Sequence, residues 1–369
     1  MDVTEEKTTS GAVWERLRKS WFPPAAVMGA FAAFIAAAFR IRPEPKPPAA
    51  PPDPAIEAGP AIDDGMAARR LDRAYALSSV LGGAASAHPF RQSLAGIAVG
   101  AGDAVYALGD NEVRVFDAGG NFVRSWKAAS NACCIAAAPD GRICLGAAER
   151  VEIYDAAGKH VGGFTAGEKD RPADITAIKI LGKEILVADA SARIIRRYDA
   201  TGRPLGLIGT ENKTGKFILP NKSLDIAVDA RGVIRATDTG RHQVTAWALD
   251  GTLMGKFGKF GMADPADFVG CCNPVNLAIT PDSKVVTAEK MVARVKVYEP
   301  DGRLLGLIGP ENFDPACIHI HLAVDAGGRI LAADPVRREI RIFARVPGAG
   351  PAIGMRDSVD RSLVEILRA

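Results

Sequence analysis

The sequence predicts an all-β, six-bladed propeller, preceded by a single N-terminal transmembrane helix and a proline-rich linker. Three observations lead there. Short strand-like runs recur at intervals of roughly forty-odd residues from about residue 90 onward. With 38 Gly and 24 Pro in 369 residues, the chain carries turns enough to separate many short strands. Upstream lies one uncharged apolar run of about 19 residues, which just suffices to span a bilayer.

The apolar run is Trp21 to Phe39 (WFPPAAVMGAFAAFIAAAF), with Arg16, Arg18 and Lys19 before it and Arg40 and Arg42 after it. It sets residues 1–20 as a cytoplasmic segment and 21–40 as a signal-anchor helix. A cleaved signal peptide competes with this reading, but no small-x-small site follows at the expected distance. A peripheral helix is the third reading. Basic residues flank both ends, so charge bias does not set orientation. The short N-terminal segment and the large domain that follows place the bulk of the chain outside the cytoplasm, as a single-pass protein of the inner membrane with a periplasmic domain. Residues 41–68 include PEPKPPAAPPDPAIEAGP, a semi-rigid spacer.

Residues 69–347 carry the repeat: an apolar triplet, a turn, a second strand, a polar turn, then a strand ending in an aromatic and Asp-x-x-Gly. The copies are GIAVGAGDAVYALGDNEVRVFDAGG, CIAAAPDGRICLGAAERVEIYDAAG, AIKILGKEILVADASARIIRRYDATG, DIAVDARGVIRATDTGRHQVTAWALDG, LAITPDSKVVTAEKMVARVKVYEPDG and LAVDAGGRILAADPVRREIRIF. Their landmark aromatics are Phe116, Tyr154, Tyr198, Trp247, Tyr298 and Phe343. Six alternating units of this period mean six propeller blades rather than a solenoid. The sixth copy has three strands, so an unpaired edge must be closed from elsewhere. The segment near 72–81 (DRAYALSSVL) is the natural donor. The tail, 348–369, has Val359, Leu363, Val364 and Leu367 at helical spacing, which predicts a short helix.

These copies resemble the NHL-repeat family, whose units read roughly LAVD-x-x-G, I-x-V-AD, R-I-x-V-F and D-x-x-G. The match spans residues 90 to 346. The segment GCCNP…TAEK…RVKVY is similar to a subgroup of membrane-anchored or exported bacterial NHL proteins without an assigned activity. The resemblance implies the fold; such propellers serve as scaffolds, ligand sensors, hydrolases and lyases, so it implies no one function.

In a propeller, the loop leading into the innermost strand and the loop between the second and third strands emerge on one face. Aligning the LAI and LAV triplets makes Cys272 and Cys317 equivalent positions of adjacent blades five and six, with Asn221 and Gln92 their counterparts in blades four and one. Cys133 and Cys134 fall further into the inner strand of blade two, opposite blade five. The second loops add Asp189 and Arg193; Asp238, Arg241 and His242; Glu289, Lys290 and Arg294; and Asp334 and Arg337. His319 and His321 arrive with blade six, and Asn273 lies next to the paired cysteines Cys271 and Cys272. One rim would then gather thiols, imidazoles, carboxylates and cations from blades four to six.

Asp189, Asp238 and Asp334 recur at one place, as a turn cap or fold-maintaining ion pair would. Glu289-Lys290 departs from the repeat and points to a role in function. For the cysteines four readings stand. A disulfide from Cys317 to Cys271 or Cys272 would close a loop of about 45 residues and tie two blades. A bond between Cys271 and Cys272 would be strained and reducible. A metal site of thiolates with His319 or His321 would suit zinc or copper. Buried free thiols are the fourth.

A net charge of +3 without basic-aromatic clusters argues against nucleic acid as a partner. The sequence has no G-x-S-x-G, HExxH, P-loop or Rossmann pattern. Propeller relatives such as the amidating lyases and gluconolactonase-like hydrolases use axial histidines or a calcium set. Of the five His here, blades four and six alone supply candidates near the rim; Asn221, Asp225, Asn273 and Asn276 could serve as a calcium set, and no motif selects them. The expected role is therefore a membrane-tethered platform, with no cofactor, that binds a protein, peptide or small molecule at its rim. A metal-dependent lyase or hydrolase using Zn, Cu or Ca, or a redox accessory protein, is the alternative.

Overall fold

A computed structural model describes residues 74–210 and 215–347. The anchor helix and linker expected upstream and the helix expected in the tail lie outside them. Among the described residues no helix is long and apolar enough to cross a membrane.

Six four-stranded antiparallel sheets form the blades. Within a blade the strands run outward in chain order, as in blade five, Asn276–Ile279, Val285–Glu289, Arg294–Tyr298 and Leu304–Ile308. The innermost strands are Gly96–Val99, Ala132–Ala137, Ile175–Leu181, Ile226–Val228, Asn276–Ile279 and His321–Val324. Each touches the next, and the sixth touches the first, so the ring is closed. Blade six obtains its outer strand from the N-terminal side: Tyr75–Leu81 pairs antiparallel with Glu339–Arg345, from Tyr75 opposite Arg345 to Leu81 opposite Ile340.

The repeat exists because each blade covers its neighbour. Six buried apolar clusters fill the six gaps between successive blades. Each landmark aromatic belongs to a different one: Phe116 between blades six and one, Tyr154 between one and two, and so on to Phe343 between five and six. A large side chain at the end of every third strand is thus what holds one sheet off the next and excludes water from the gap.

The Asp-x-x-Gly turns supply the other half of the repeat. In blade two the Asp155 carboxylate accepts the Ala157 and Lys159 N–H groups at 2.9 Å each. Gly158 stands at φ +87°, and a Cβ there would collide with the Trp126 ring of the neighbouring blade. Glycine is therefore needed twice over at this turn, for its conformation and for the close approach.

Candidate functional site

Hydrogen bonds show that the lead-in loops and the second-to-third-strand turns share one rim. A carboxylate at the end of the second strand accepts backbone N–H groups from its own blade's lead-in loop in five blades. Asp110 accepts from Arg91, Gln92 and Ser93; Asp189 from Asp174; Asp238 from Ile218; Glu289 from Val269; and Asp334 from Asp314. Blade two has Ala147 and Ala148 there and a short lead-in loop. The recurring acid is a loop anchor.

Each anchor is also paired with a cation. Asp189 meets Arg196 at 2.7 Å, Asp238 meets Arg241 at 2.6 Å, and Asp334 lies 3.9 Å from Arg337. Glu289 fits the same scheme with one methylene more. It is almost fully buried, and it binds Val269 N–H at 2.9 Å, Arg294 Nε at 3.1 Å and Lys296 Nζ at 2.7 Å. The departure from Asp that looked functional in the sequence has a structural reason: the longer acid reaches an ammonium that is entirely buried. Lys296 also donates to the Asp267 carbonyl at 2.6 Å and lies over the Phe268 ring. Burial lowers its pKa to about 8, against the opposing pull of Glu289.

The expected clasp between blades five and six is not formed. All six cysteines are free. Cys317 is buried in the core between blades five and six, and its thiol donates to the His319 carbonyl at 3.2 Å. A bond to Cys271, which is solvent-exposed, would require pulling this side chain out of its packing. Burial raises the Cys317 pKa to about 12. Cys271 and Cys272 are unbonded as well, although their sulfurs lie 2.9 Å apart. Asn273, fully buried, ties their loop to the turn after Glu289: its Oδ1 accepts the Lys290 N–H at 3.0 Å and its Nδ2 donates to the Lys290 carbonyl at 3.1 Å. Asn273 precedes a cis peptide bond to Pro274, after which the chain enters the inner strand.

The histidines divide between rim and axis. His242 sits at the rim at φ +56°, edge-on to Phe260 with ring centroids 5.3 Å apart. Burial lowers its pKa, with Glu289 opposing. His319 and His321 stack at 6.4 Å, and His321 lines a small axial cavity of about 30 Å³ together with Asp225, Asn276, Thr176 and Lys179. Asp225 accepts from Asn276 Nδ2 at 3.2 Å and from Leu277 N–H at 2.9 Å, which uses it as a brace between blades four and five. The volume matches about one water molecule. Among the described residues, no group of three or more His, Cys, Asp or Glu side chains is placed to hold a metal ion.

Burial first, then the charges of His319 and Lys179, lower the His321 pKa to about 4 from 6.5. Between those values the unfolded chain carries a proton on this residue that the folded chain does not, so stability falls as pH drops from about 6.5 to about 4. His321→Gln is expected to flatten the pH dependence of the urea midpoint across that window. An unchanged slope would show that other groups set it.

The feature that sequence reasoning missed is apolar. Ile218, Phe260, Met262, Met291, Val292, Ile318 and Val336 are all exposed, Met262 by 79% and Met291 by 66%. All seven lie in lead-in loops or second turns of blades four to six, on the rim just described. The other exposed large apolar side chains, such as Val123, Val161 and Met254, lie on outermost strands. The loops of blades one to three contribute none. Scattered exposed apolar residues are ordinary, but their restriction to one sector of one rim is not. The available signal was Met291-Val292 in a turn and Ile318 between polar neighbours, where periodicity has nothing to say.

No family model matches the chain, and no curated protein matches it in sequence. Solved structures do. The crystal structure of the mitotic checkpoint complex aligns over 82% of this chain and 99% of that one, at 12% identity and a TM-score of 0.51. The WD40 β-propeller domain of Doa1 aligns over 75% and 99%, at 14% identity and a TM-score of 0.50. Virginiamycin B lyase from Staphylococcus aureus aligns at 13% identity and a TM-score of 0.47, a likeness that bears on nothing further. At these identities the likeness establishes the propeller fold and leaves the NHL resemblance resting on the quoted repeats.

Proposed function

We propose that the chain is a membrane-tethered propeller that binds a protein or peptide partner across the rim of blades four to six, outside the cytoplasm, and that this recognition is itself non-catalytic. The confined apolar sector carries this reading. Loops held by buried carboxylates present these side chains on a stiff support, so little ordering entropy opposes association. The tether rests on the apolar run 21–40 and its basic flanks.

A photo-crosslinking amino acid at Met291 or Ile318 in the full membrane-bound chain tests the surface, with Val123 and Val161 on the outer strands as controls. Adducts of discrete mass from the two rim positions and none from the controls are expected. Equal yields from all four would remove the rim as the binding surface. Protease accessibility of the propeller in intact spheroplasts tests its orientation: protection there would overturn the extracytoplasmic placement.

A further inference from the structure

Cys271 and Cys272 stand on this rim, but their chemistry follows from their own geometry and does not depend on the rim binding a partner. Cys271 is exposed and Cys272 is buried, yet their sulfurs approach to 2.9 Å. Cys272 holds φ +62°, a backbone region that non-glycine residues seldom adopt. Asn273 fixes the loop against the next turn through both its amide atoms, as described above. Burial, and then the neighbouring Cys271 thiol, raise the Cys272 pKa, with the charge of nearby Lys290 opposing them.

Cys144 and Cys317 are buried, with pKa values raised to about 12 by desolvation. Cys133 is likewise exposed beside a buried neighbour, but its thiol donates to the Ile175 carbonyl at 3.1 Å and lies within 3.4 Å of the Gly146 carbonyl, while Cys134 packs into the core between blades two and three. An exposed thiol with a shielded neighbour in reach is the arrangement of an attacking and a resolving cysteine.

We propose that Cys271 and Cys272 form a thiol–disulfide exchange site whose substrate is an accessible disulfide. The Cys271 thiolate attacks one sulfur of R–S–S–R′ and expels R′S⁻, leaving a mixed disulfide. The Cys272 thiol gives its proton to solvent, and its thiolate attacks Cys271 Sγ, expelling RS⁻. The substrate disulfide breaks, a Cys271–Cys272 bond forms, and two electrons pass to the substrate, whose thiolates take up protons. Adjacent Cα atoms stand only about 3.8 Å apart, below the usual span for a disulfide, so the oxidised ring is strained: an excess of substrate disulfide drives its formation, and thiols return it to the dithiol. Such labile bonds serve exchange rather than structure.

The unmutated full-length chain provides the first test. It is equilibrated in buffers of rising oxidised-to-reduced glutathione ratio, quenched, alkylated and digested with trypsin. Phe260–Lys284 contains Cys271 and Cys272 and no other cysteine. This peptide is expected to lose two hydrogens and both alkylation sites at high ratio, and to regain them with dithiothreitol. Two alkylatable thiols at every ratio, or glutathione on Cys271 without loss of the Cys272 thiol, would overturn the proposal. Cys272→Ser is expected to accumulate the mixed disulfide that the unmutated chain resolves; failure to trap it in folded protein would also count against the site. Repeating the titration with insulin in place of glutathione separates the sources: the same peptide change with release of insulin chains marks protein disulfides as substrates, and a response to glutathione alone marks small ones.

Discussion

Glu289→Ala is expected to destabilise the propeller by about 3–5 kcal/mol, the usual cost of stripping a buried charge of its partner. Three groups lose this acceptor at once, and Lys296 keeps only the Asp267 carbonyl. Lys296 is wholly buried, Arg294 is mostly so, and the Val269 N–H holds the lead-in loop of blade five. Without Glu289, burial and the Arg294 charge both press Lys296 toward its neutral form with only Asp267 opposing, and neutralisation becomes its escape. The loss should therefore be larger at pH 6, where the amine must carry its proton, than at pH 9, above its pKa of about 8. Urea unfolding at both pH values measures this. Lys296→Met is expected to cost less, because Glu289 keeps Arg294 and Val269 as partners. A Glu289→Ala chain with an unchanged midpoint would show that the buried cluster contributes nothing to stability.

Starting the chain at Gly82 is the second large perturbation. It removes Tyr75–Leu81 and leaves Glu339–Arg345 with an unpaired edge. Leu81 also leaves the cluster between blades six and one, and Ser78 no longer donates to the Ile342 carbonyl. The expected loss is on the order of 5 kcal/mol or more, a large fraction of the roughly 5–15 kcal/mol that stabilises a domain. Differential scanning calorimetry should record a marked fall in Tm and concentration-dependent aggregation. A synthetic peptide covering residues 74–81 should raise the Tm again by adding to the open edge. A truncated chain that melts with the parent would mean that the ring does not rely on this strand.

The blade count was legible because it follows from local chemistry repeated at a fixed interval. An aromatic at the end of each third strand and a glycine at each outer turn recur once per blade, because each blade must meet its neighbour in the same way, as Tyr154 and Gly158 show. The recurring acids were legible as fold-maintaining features too, since Asp189, Asp238 and Asp334 fall at one register position.

Partner identity was not legible. Cys317 aligns with Cys272, yet one faces the core between two blades while the other lies beside an exposed thiol. Equivalence in a repeat fixes the position of a Cα, and the side chain's direction then depends on loop conformation, here the positive φ of Cys272 and the clamp of Asn273. Lys296 reads in sequence as one of the alternating polar residues of a strand, and nothing local says that the loop bearing Asp267 and Phe268 covers it. The apolar rim sector is hidden for the same reason: Phe260, Met291 and Ile318 are distant in the chain and follow no period. Fold, blade number and anchoring acids come from residue types that recur once per repeat, which a sequence displays as a pattern. The buried ion cluster and the thiol pair come from one lead-in loop folding over its own blade, and the binding rim from loops of different blades; none of these contacts follows a period, and they exist only once the fold brings the loops together.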